Sequence, residues 1–300
     1  KLVENLRYGE NPHQKAIFKG DLDKIFNKLN GKDLSYNNLL DVDSAIKLIS
    51  EFSDPTFAII KHNNACGIAS SKDSLSSYLL ALQADPLSAF GGVLISNTKI
   101  DYKTSLEVDK LFFEILIAPE FDKQALDILK SKKNRIILHQ KITNIQNLSY
   151  RNILNGVIQQ DQDNIENNSK NWNLVTNTNA NVDKIKDLEF ANKIVKHSKS
   201  NAIVLVKNKQ MISSGIGQTS RIDALKFAIG KAKQFKFDIA GSSMASDAFF
   251  PFPDCVEIAS NVGISAIVQP GGSVKDDLSI QACNDKKIAM FFTGLRHFYH

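Results

Sequence analysis

Phe57-Ala58-Ile59-Ile60, followed at once by Lys61-His62-Asn63-Asn64-Ala65-Cys66-Gly67, is the stretch whose reading decides the fold. Four apolar residues bounded by turn formers read as a strand buried on both faces. A Lys-His pair at its end sets a proton donor beside a proton acceptor at the rim of a sheet, where open α/β sheets hold their ligands. Far along the chain, Ser246-Asp247-Ala248-Phe249-Phe250-Pro251-Phe252 places three Phe and a Pro next to an acid. Such a rigid apolar wall suits a planar ligand.

Outward from that strand, helix and strand signals alternate. Leu39 to Phe52 carries Val42, Ala45, Ile46 and Ile49 on one face and predicts a helix. Leu75, Tyr78, Leu79 and Leu82 repeat that spacing behind Asp73, a suitable cap. Strands are expected at Val93-Leu94-Ile95, Phe113 to Ile117 and Arg135 to Leu138, with a helix at Lys123 to Lys130. From about 141 to 181 the pattern weakens into polar, Asn-rich sequence that reads as loop or linker. It resumes with a helix at Leu188 to Val195 and a hairpin whose strands are Ala202 to Val206 and Met211 to Ser214. A helix at Asp223 to Phe235, a strand near Ser243 to Ala245, a helix from Asp254 and a strand at Ala266 to Val268 complete it. The expectation is an α/β chain with a mostly parallel sheet covered on both sides. Its two related subdomains would be 1–145 and 186–300, joined by a connecting segment, 146–185.

A chain of 300 residues accommodates about two domains. Hydrophobic content of 43% with 23% charged residues is that of a soluble globular protein. No run of about 18 apolar residues is present, which argues against a membrane-spanning helix. Three cysteines, Cys66, Cys255 and Cys283, have no paired spacing and read as reduced thiols. With no charged-then-apolar leader at the start, a cytoplasmic setting is expected. Residue 1 is Lys rather than Met, compatible with a piece of a longer chain. The net charge of +5 is spread along the sequence, without the basic-aromatic stripe that would stack nucleic-acid bases.

Imidazole is the side chain that titrates nearest neutrality, so Lys61-His62 suggests acid/base chemistry. From these two residues alone, the bland reading of a solvated Lys and a backbone-satisfied His outweighs it. His62 and Cys66 also invite a comparison with zinc deaminases, which need His-x-Glu and a later Pro-Cys-x-x-Cys. Asn64 stands where the Glu would be and no Cys-x-x-Cys occurs, so no metal is expected. Gly215-Ile216-Gly217-Gln218-Thr219-Ser220-Arg221 joins a strand to a helix and could admit an anion. Alone it is as readily a tight connection, and so is Pro270-Gly271-Gly272-Ser273.

Together, in order, many motifs resemble one family. They are Leu6-Arg7-Tyr8-Gly9-Glu10-Asn11-Pro12-His13-Gln14, Leu34-Ser35-Tyr36-Asn37-Asn38, Lys61 to Gly67, and Asp85-Pro86-Leu87-Ser88-Ala89-Phe90-Gly91-Gly92. Ile117-Ala118-Pro119, Lys199-Ser200-Asn201-Ala202, Gly217 to Arg221, Ser246 to Phe252 and Thr293-Gly294-Leu295-Arg296-His297-Phe298 continue the series. The chain resembles the aminoimidazole carboxamide ribonucleotide (AICAR) formyltransferase part of bifunctional purine biosynthesis proteins over nearly its whole length.

That resemblance implies two cytidine-deaminase-like subdomains without zinc, each a mixed sheet flanked by helices. It implies a homodimer with active sites at the interface, AICAR as acceptor, 10-formyltetrahydrofolate as donor, and a potassium ion near the site. It implies His62 as base, Lys61 as acid and Asn201 as the group polarising the formyl oxygen. Arg7, Tyr8 and Arg296 would hold the phosphate, with Asn38 a further nucleotide contact. Phe90, Gly91 and Glu114 would meet the imidazole carboxamide, and Arg221, Phe249 and Asp254 would line the folate side. Ala65 replaces the family's Pro before Cys-Gly, and Pro253 stands where a basic residue is usual. The cyclohydrolase domain that normally precedes the Arg-Tyr-Gly-Glu motif is not in this sequence. The rival reading keeps the fold but makes the chain an inactive nucleotide-sensing or RNA-binding module, since fold alone does not fix function.

Overall fold

A computed structural model describes residues 3–141 and 147–300. The subdomain boundary expected at 145–146 falls outside the described residues. Strands are β1 (Val3–Asn5), β2 (Ile17–Lys19), β3 (Phe26–Asn30), β4 (Thr56–Lys61), β5 (Asn64–Ser70), β6 (Val93–Ser96), β7 (Ile115–Ala118) and β8 (Ile136–Gln140). They continue as β9 (Leu148–Ile153), β10 (Gly156–Asp161), β11 (Asn173–Leu174), β12 (Ile203–Lys207), β13 (Gln210–Gly215), β14 (Ser243–Ser246), β15 (Ala266–Gln269) and β16 (Ala289–Phe292). Helices are α1 (Tyr36–Ile49), α2 (Ser74–Ala84), α3 (Pro86–Ala89), α4 (Tyr102–Val108), α5 (Lys123–Leu129), α6 (Val182–Lys196), α7 (Arg221–Gln234), α8 (Asp254–Asn261) and α9 (Asp276–Asp285).

Twelve strands form one sheet in the order β11-β16-β15-β14-β12-β13-β5-β4-β6-β7-β8-β3. This corrects the expectation of a mostly parallel sheet. Only β6-β7, β7-β8, β14-β15 and β15-β16 pair in parallel, and every other neighbouring pair is antiparallel. The reason is local: β4 and β12 each turn straight into an antiparallel hairpin partner instead of crossing over through a helix.

The sheet is built twice. From β5 outward, the order β5-β4-β6-β7-β8-β3 repeats from β13 outward as β13-β12-β14-β15-β16-β11, with the same strand directions. The repetition reaches single residues. Both hairpins carry a register shift at the same step, after Ile59 in β4 and after Leu205 in β12. Both close through two residues with positive φ, His62 (50°) and Asn63 (65°) in one, Asn208 (55°) and Lys209 (55°) in the other. These are the angles a type I′ turn demands. The same interval separates Lys61 from Lys207, Asp41 from Asp187 and Glu51 from His197.

Alternation along the central strands sorts the core. Ala58 and Ile60 face α1, while Val204 and Val206 face α6, in one continuous apolar layer. Phe57 and Ile59 face the layer under α2, α4 and α5, and Ile203 and Leu205 the layer under α7, α8 and α9. Burial on both faces explains why 57–60 reads as an unbroken apolar run. The segment read as linker is structured in part. β9 and β10 form a separate hairpin, and β11 adds an edge strand to the large sheet beside β16.

Candidate active site

The β4–β5 turn presents Lys61 and His62 at one end of the sheet. Lys61 Nζ donates to the Phe90 carbonyl at 2.6 Å, and Gly91, at φ 70°, leaves the space beside that ammonium open. His62 is exposed at the turn tip. Beneath it, Asp41 Oδ1 accepts the Asn63 N–H at 2.7 Å. Burial pushes the Asp41 carboxyl up, against the pull of that N–H and of the His62 and Lys61 charges.

Several other predicted residues gather here. The Phe90 ring packs against Phe112 at 4.9 Å, and Gly91 N–H donates to the Phe112 carbonyl. Glu114 N–H donates to the Gly92 carbonyl, and the Glu114 side chain pairs with Lys32 at 2.6 Å. Arg7 lies over the Tyr8 ring, and Arg7 N–H and Tyr36 N–H tie this segment to the start of α1. Asn38 is buried in a capping box, its carboxamide oxygen accepting the Ser35 N–H. That oxygen is therefore already engaged.

The second group comes from the other half of the sheet. Asn64 Oδ1 accepts the Lys199 N–H at 3.1 Å, linking the Lys61-His62 hairpin to the segment entering β12. Two residues on, Asn201 Nδ2 donates to the Gln218 carbonyl at 2.9 Å and its Oδ1 accepts from Arg221 at 2.7 Å. Arg221 is buried, and its guanidinium also reaches Ser246 Oγ and forms an ion pair with Asp247. So Arg221 points its donors inward at Asn201 and Asp247. The second Asp247 oxygen is buried with no hydrogen-bond partner among the described residues.

The aromatic stretch splits. Phe249 is 37% exposed and Phe252 49%, whereas Phe250 is fully buried in the core under α8. The expected three-ring wall is therefore two rings. Asp254 opens α8, and its carboxylate accepts the Cys255 N–H. No hydrogen bond joins it to Asn201 or Lys61 among the described residues. Arg296 is exposed, stacked on Phe298 at 4.3 Å. It shares no hydrogen bond with Arg7–Tyr8 among the described residues.

Sequence reasoning missed the residues that hold these groups. His297 N–H donates to the Asp247 carbonyl, its Nδ1 lies 2.6 Å from Asp163, and its Nε2 lies 2.9 Å from Asn167, which in turn accepts from Trp172. Asp163 and Asn167 sit in the stretch read as linker, so no local pattern announced them. Asp41 was findable: it follows Asn38 by one turn on the same helix face. Cys66 is buried, its Sγ directed at the Ile59 carbonyl, and burial with Asp85 nearby pushes the thiol up to about 12. It is inert as a nucleophile. Among the described residues no three His, Cys, Asp or Glu side chains are grouped to hold a metal ion. No described helix is long and apolar enough to cross a membrane.

Two groups of polar residues, one from each half, thus lie at the same end of the sheet, linked by the Asn64–Lys199 hydrogen bond. The family model described as AICARFT/IMPCHase bienzyme matches residues 1–231. The chain belongs to that family. It is 57% identical to the bifunctional purine biosynthesis protein PurH of Bacteroides thetaiotaomicron, over 99% of this chain and 59% of the relative. The PurH proteins of Petrotoga mobilis and Aquifex aeolicus are 48% and 44% identical, over 98% and 100% of this chain and 58% and 60% of theirs. The chain thus spans about three fifths of the length of the curated relatives it matches.

Proposed function

We propose that this chain transfers the formyl group of 10-formyltetrahydrofolate to the exocyclic amine of AICAR, an AICAR formyltransferase step of purine biosynthesis. The amine is conjugated with the imidazole and is a poor nucleophile, so it needs a base. His62 takes the amine proton as the new C–N bond forms. Lys61 supplies a proton to the folate nitrogen as the old C–N bond breaks. Asn201 polarises the formyl oxygen: one of its two amide N–H groups is held by Gln218, and the other has no hydrogen-bond partner among the described residues. Arg7, Tyr8 and Arg296 anchor the phosphate, since guanidinium forks match it in two-point fashion. Phe90, Gly91 and Glu114 receive the carboxamide. Phe249 and Asp254 line the folate side.

The observation that carries this reading is the convergence of the Lys61-His62 turn and the Asn201–Arg221–Asp247 network at one end of the sheet, joined through Asn64 and Lys199. We read the repeated halves as two cytidine-deaminase-like subdomains, 1–145 and 186–300, with 146–185 between them. Exposed Phe90, Phe112 and Leu87 around the site support a homodimer whose partner covers them. The unpartnered Asp247 oxygen fits the oxygen-seeking chemistry of a potassium ion, which would satisfy it and stiffen the Arg221–Asn201 arrangement. Purified chain given AICAR and 10-formyltetrahydrofolate should release tetrahydrofolate. AICAR binding without turnover would favour the nucleotide-sensing alternative instead.

A further inference from the structure

We propose that Asp41 is a positioning residue that sets the Lys61-His62 turn for proton transfer. The inference rests on the formyl-transfer reading of that turn.

A two-residue type I′ turn wants Asn-Gly, because both central residues take positive φ. Here the positions hold His62 and Asn63, so the turn's own sequence specifies it poorly. The tether is external. Asp41, one turn past the capped start of α1, accepts the Asn63 N–H at 2.7 Å through Oδ1. Moving that carboxylate moves the backbone on which both Lys61 and His62 are mounted. Misplacement of a reacting group by about 1 Å lowers rates by roughly 100-fold.

The repeated half supplies the comparison. Asp187 occupies the matching place on α6 and accepts both turn amides, Asn208 N–H at 3.0 Å and Lys209 N–H at 2.8 Å. That carboxylate is buried, bonded to both turn amides, with Lys184 Nζ 3.9 Å away. Asp41 is half-buried, binds one turn amide, and lies in the field of the His62 and Lys61 side chains. The same structural device thus serves a turn with reactive side chains in one half and a turn without them in the other.

Asp41→Ala should lower kcat by at least about tenfold with the KM for AICAR nearly unchanged, because the phosphate anchors lie elsewhere. Asp41→Asn keeps an oxygen acceptor for the Asn63 N–H and should recover most of the rate. Asp187→Asn should leave kcat at the wild-type value. Wild-type kcat in Asp41→Ala, or loss in Asp41→Asn as deep as in Asp41→Ala, would overturn the positioning role. An equal kcat loss in Asp187→Asn would overturn it too. If Asp41→Ala does not fold, Asp41→Glu decides: it shifts the acceptor by one methylene, and wild-type kcat there would sink the inference. An inactive wild-type chain would instead count against formyl transfer itself.

Discussion

The turn at His62–Asn63 and the turn at Asn208–Lys209 have one backbone and two fates. Each is anchored by an aspartate from the preceding helix, and each follows a lysine that closes the first strand. At the second turn the lysine is tied to Asp238 and the carbonyls around it. At the first, the lysine donates to a carbonyl next to a glycine, its one side-chain hydrogen bond among the described residues, and an exposed imidazole stands at the tip. Both turns are equally exposed, so the difference lies in how their lysines are held and in which side chain stands at the tip. Two copies of one framework therefore carry different side chains on the same turn, and the proposed chemistry uses only one of them.

The sharpest way to break that contrast is to remove the tip side chains. His62→Ala should reduce formyl transfer by roughly 100- to 10,000-fold, the usual worth of a general base, with AICAR still bound. Asn208→Ala should turn over at the wild-type rate. Steady-state kinetics with calorimetric AICAR titration checks both. Similar rates for the two variants would erase the distinction between the turns.

A second contrast lies one residue past β6 and β14. Asn97 accepts from the Thr56 N–H and donates to the Phe52 and Asp54 carbonyls, neutral and satisfied. Asp247, its counterpart, accepts from the Ala202 N–H and pairs with buried Arg221. Removing one partner of a buried ion pair typically costs about 3–5 kcal/mol. Losing a buried neutral hydrogen-bond partner costs about 1–3 kcal/mol. Asp247→Ala should therefore lower stability in urea melts more than Asn97→Ala. The reverse order would show that the charged network is not held by the pair.

How much of this was legible depends on where the signal lives. The apolar run 57–60, the face of α1 and the β12–β13 hairpin announce themselves because their periodicity is local. β5 does not, because its Asn64-Ala65-Cys66-Gly67 start lacks β-branched residues. The structure shows why Gly67 is small: an added Cβ would lie 2.0 Å from the Ala81 carbonyl oxygen of α2. Missing β5 made the sheet read as parallel. The β9–β10 hairpin is largely exposed, so no buried face imprints a period on its sequence. At the site, Lys61, His62 and Asn201 were visible as motifs. Their supports, Asp41, Asp247 and the His297–Asp163 contact, depend on long-range packing that spacing cannot encode.

Where the two halves meet themselves, matching positions have diverged in charge. Glu51 follows the end of α1 and His197 caps the end of α6, and the two bond at 2.9 Å with Lys196 also on Glu51. Burial raises the Glu51 pKa, but the hydrogen bonds and charges of His197 and Lys196 outweigh it and hold the carboxyl at about 2, below its ordinary 4.5. A depressed acid contributes stability that is complete above the unfolded value and fades as pH falls toward the folded one. The contribution should thus be lost between about pH 4.5 and pH 2, with a size on the order of 1–3 kcal/mol. Glu51→Gln should flatten that part of the stability profile. An unchanged acid limb would mean that the contact between equivalent positions contributes little.

The smallest effect is the most discriminating. His62→Asn copies the residue that the second turn carries at the same place, and Asn accepts positive φ readily. The Asp41 tether and the strand pairing on either side are untouched by that change. Stability should therefore stay within about 0.5 kcal/mol of wild type, as for surface substitutions that disturb no packing. Formyl transfer should nevertheless be lost, because a carboxamide cannot accept the amine proton at neutral pH. Thermal melts and rate measurements on the same preparation test both halves of this expectation. A stable and still active His62→Asn would remove the imidazole from the reaction. A loss of stability well beyond 1 kcal/mol would show that His62 is part of the framework, and that the two turns are less alike than their backbones.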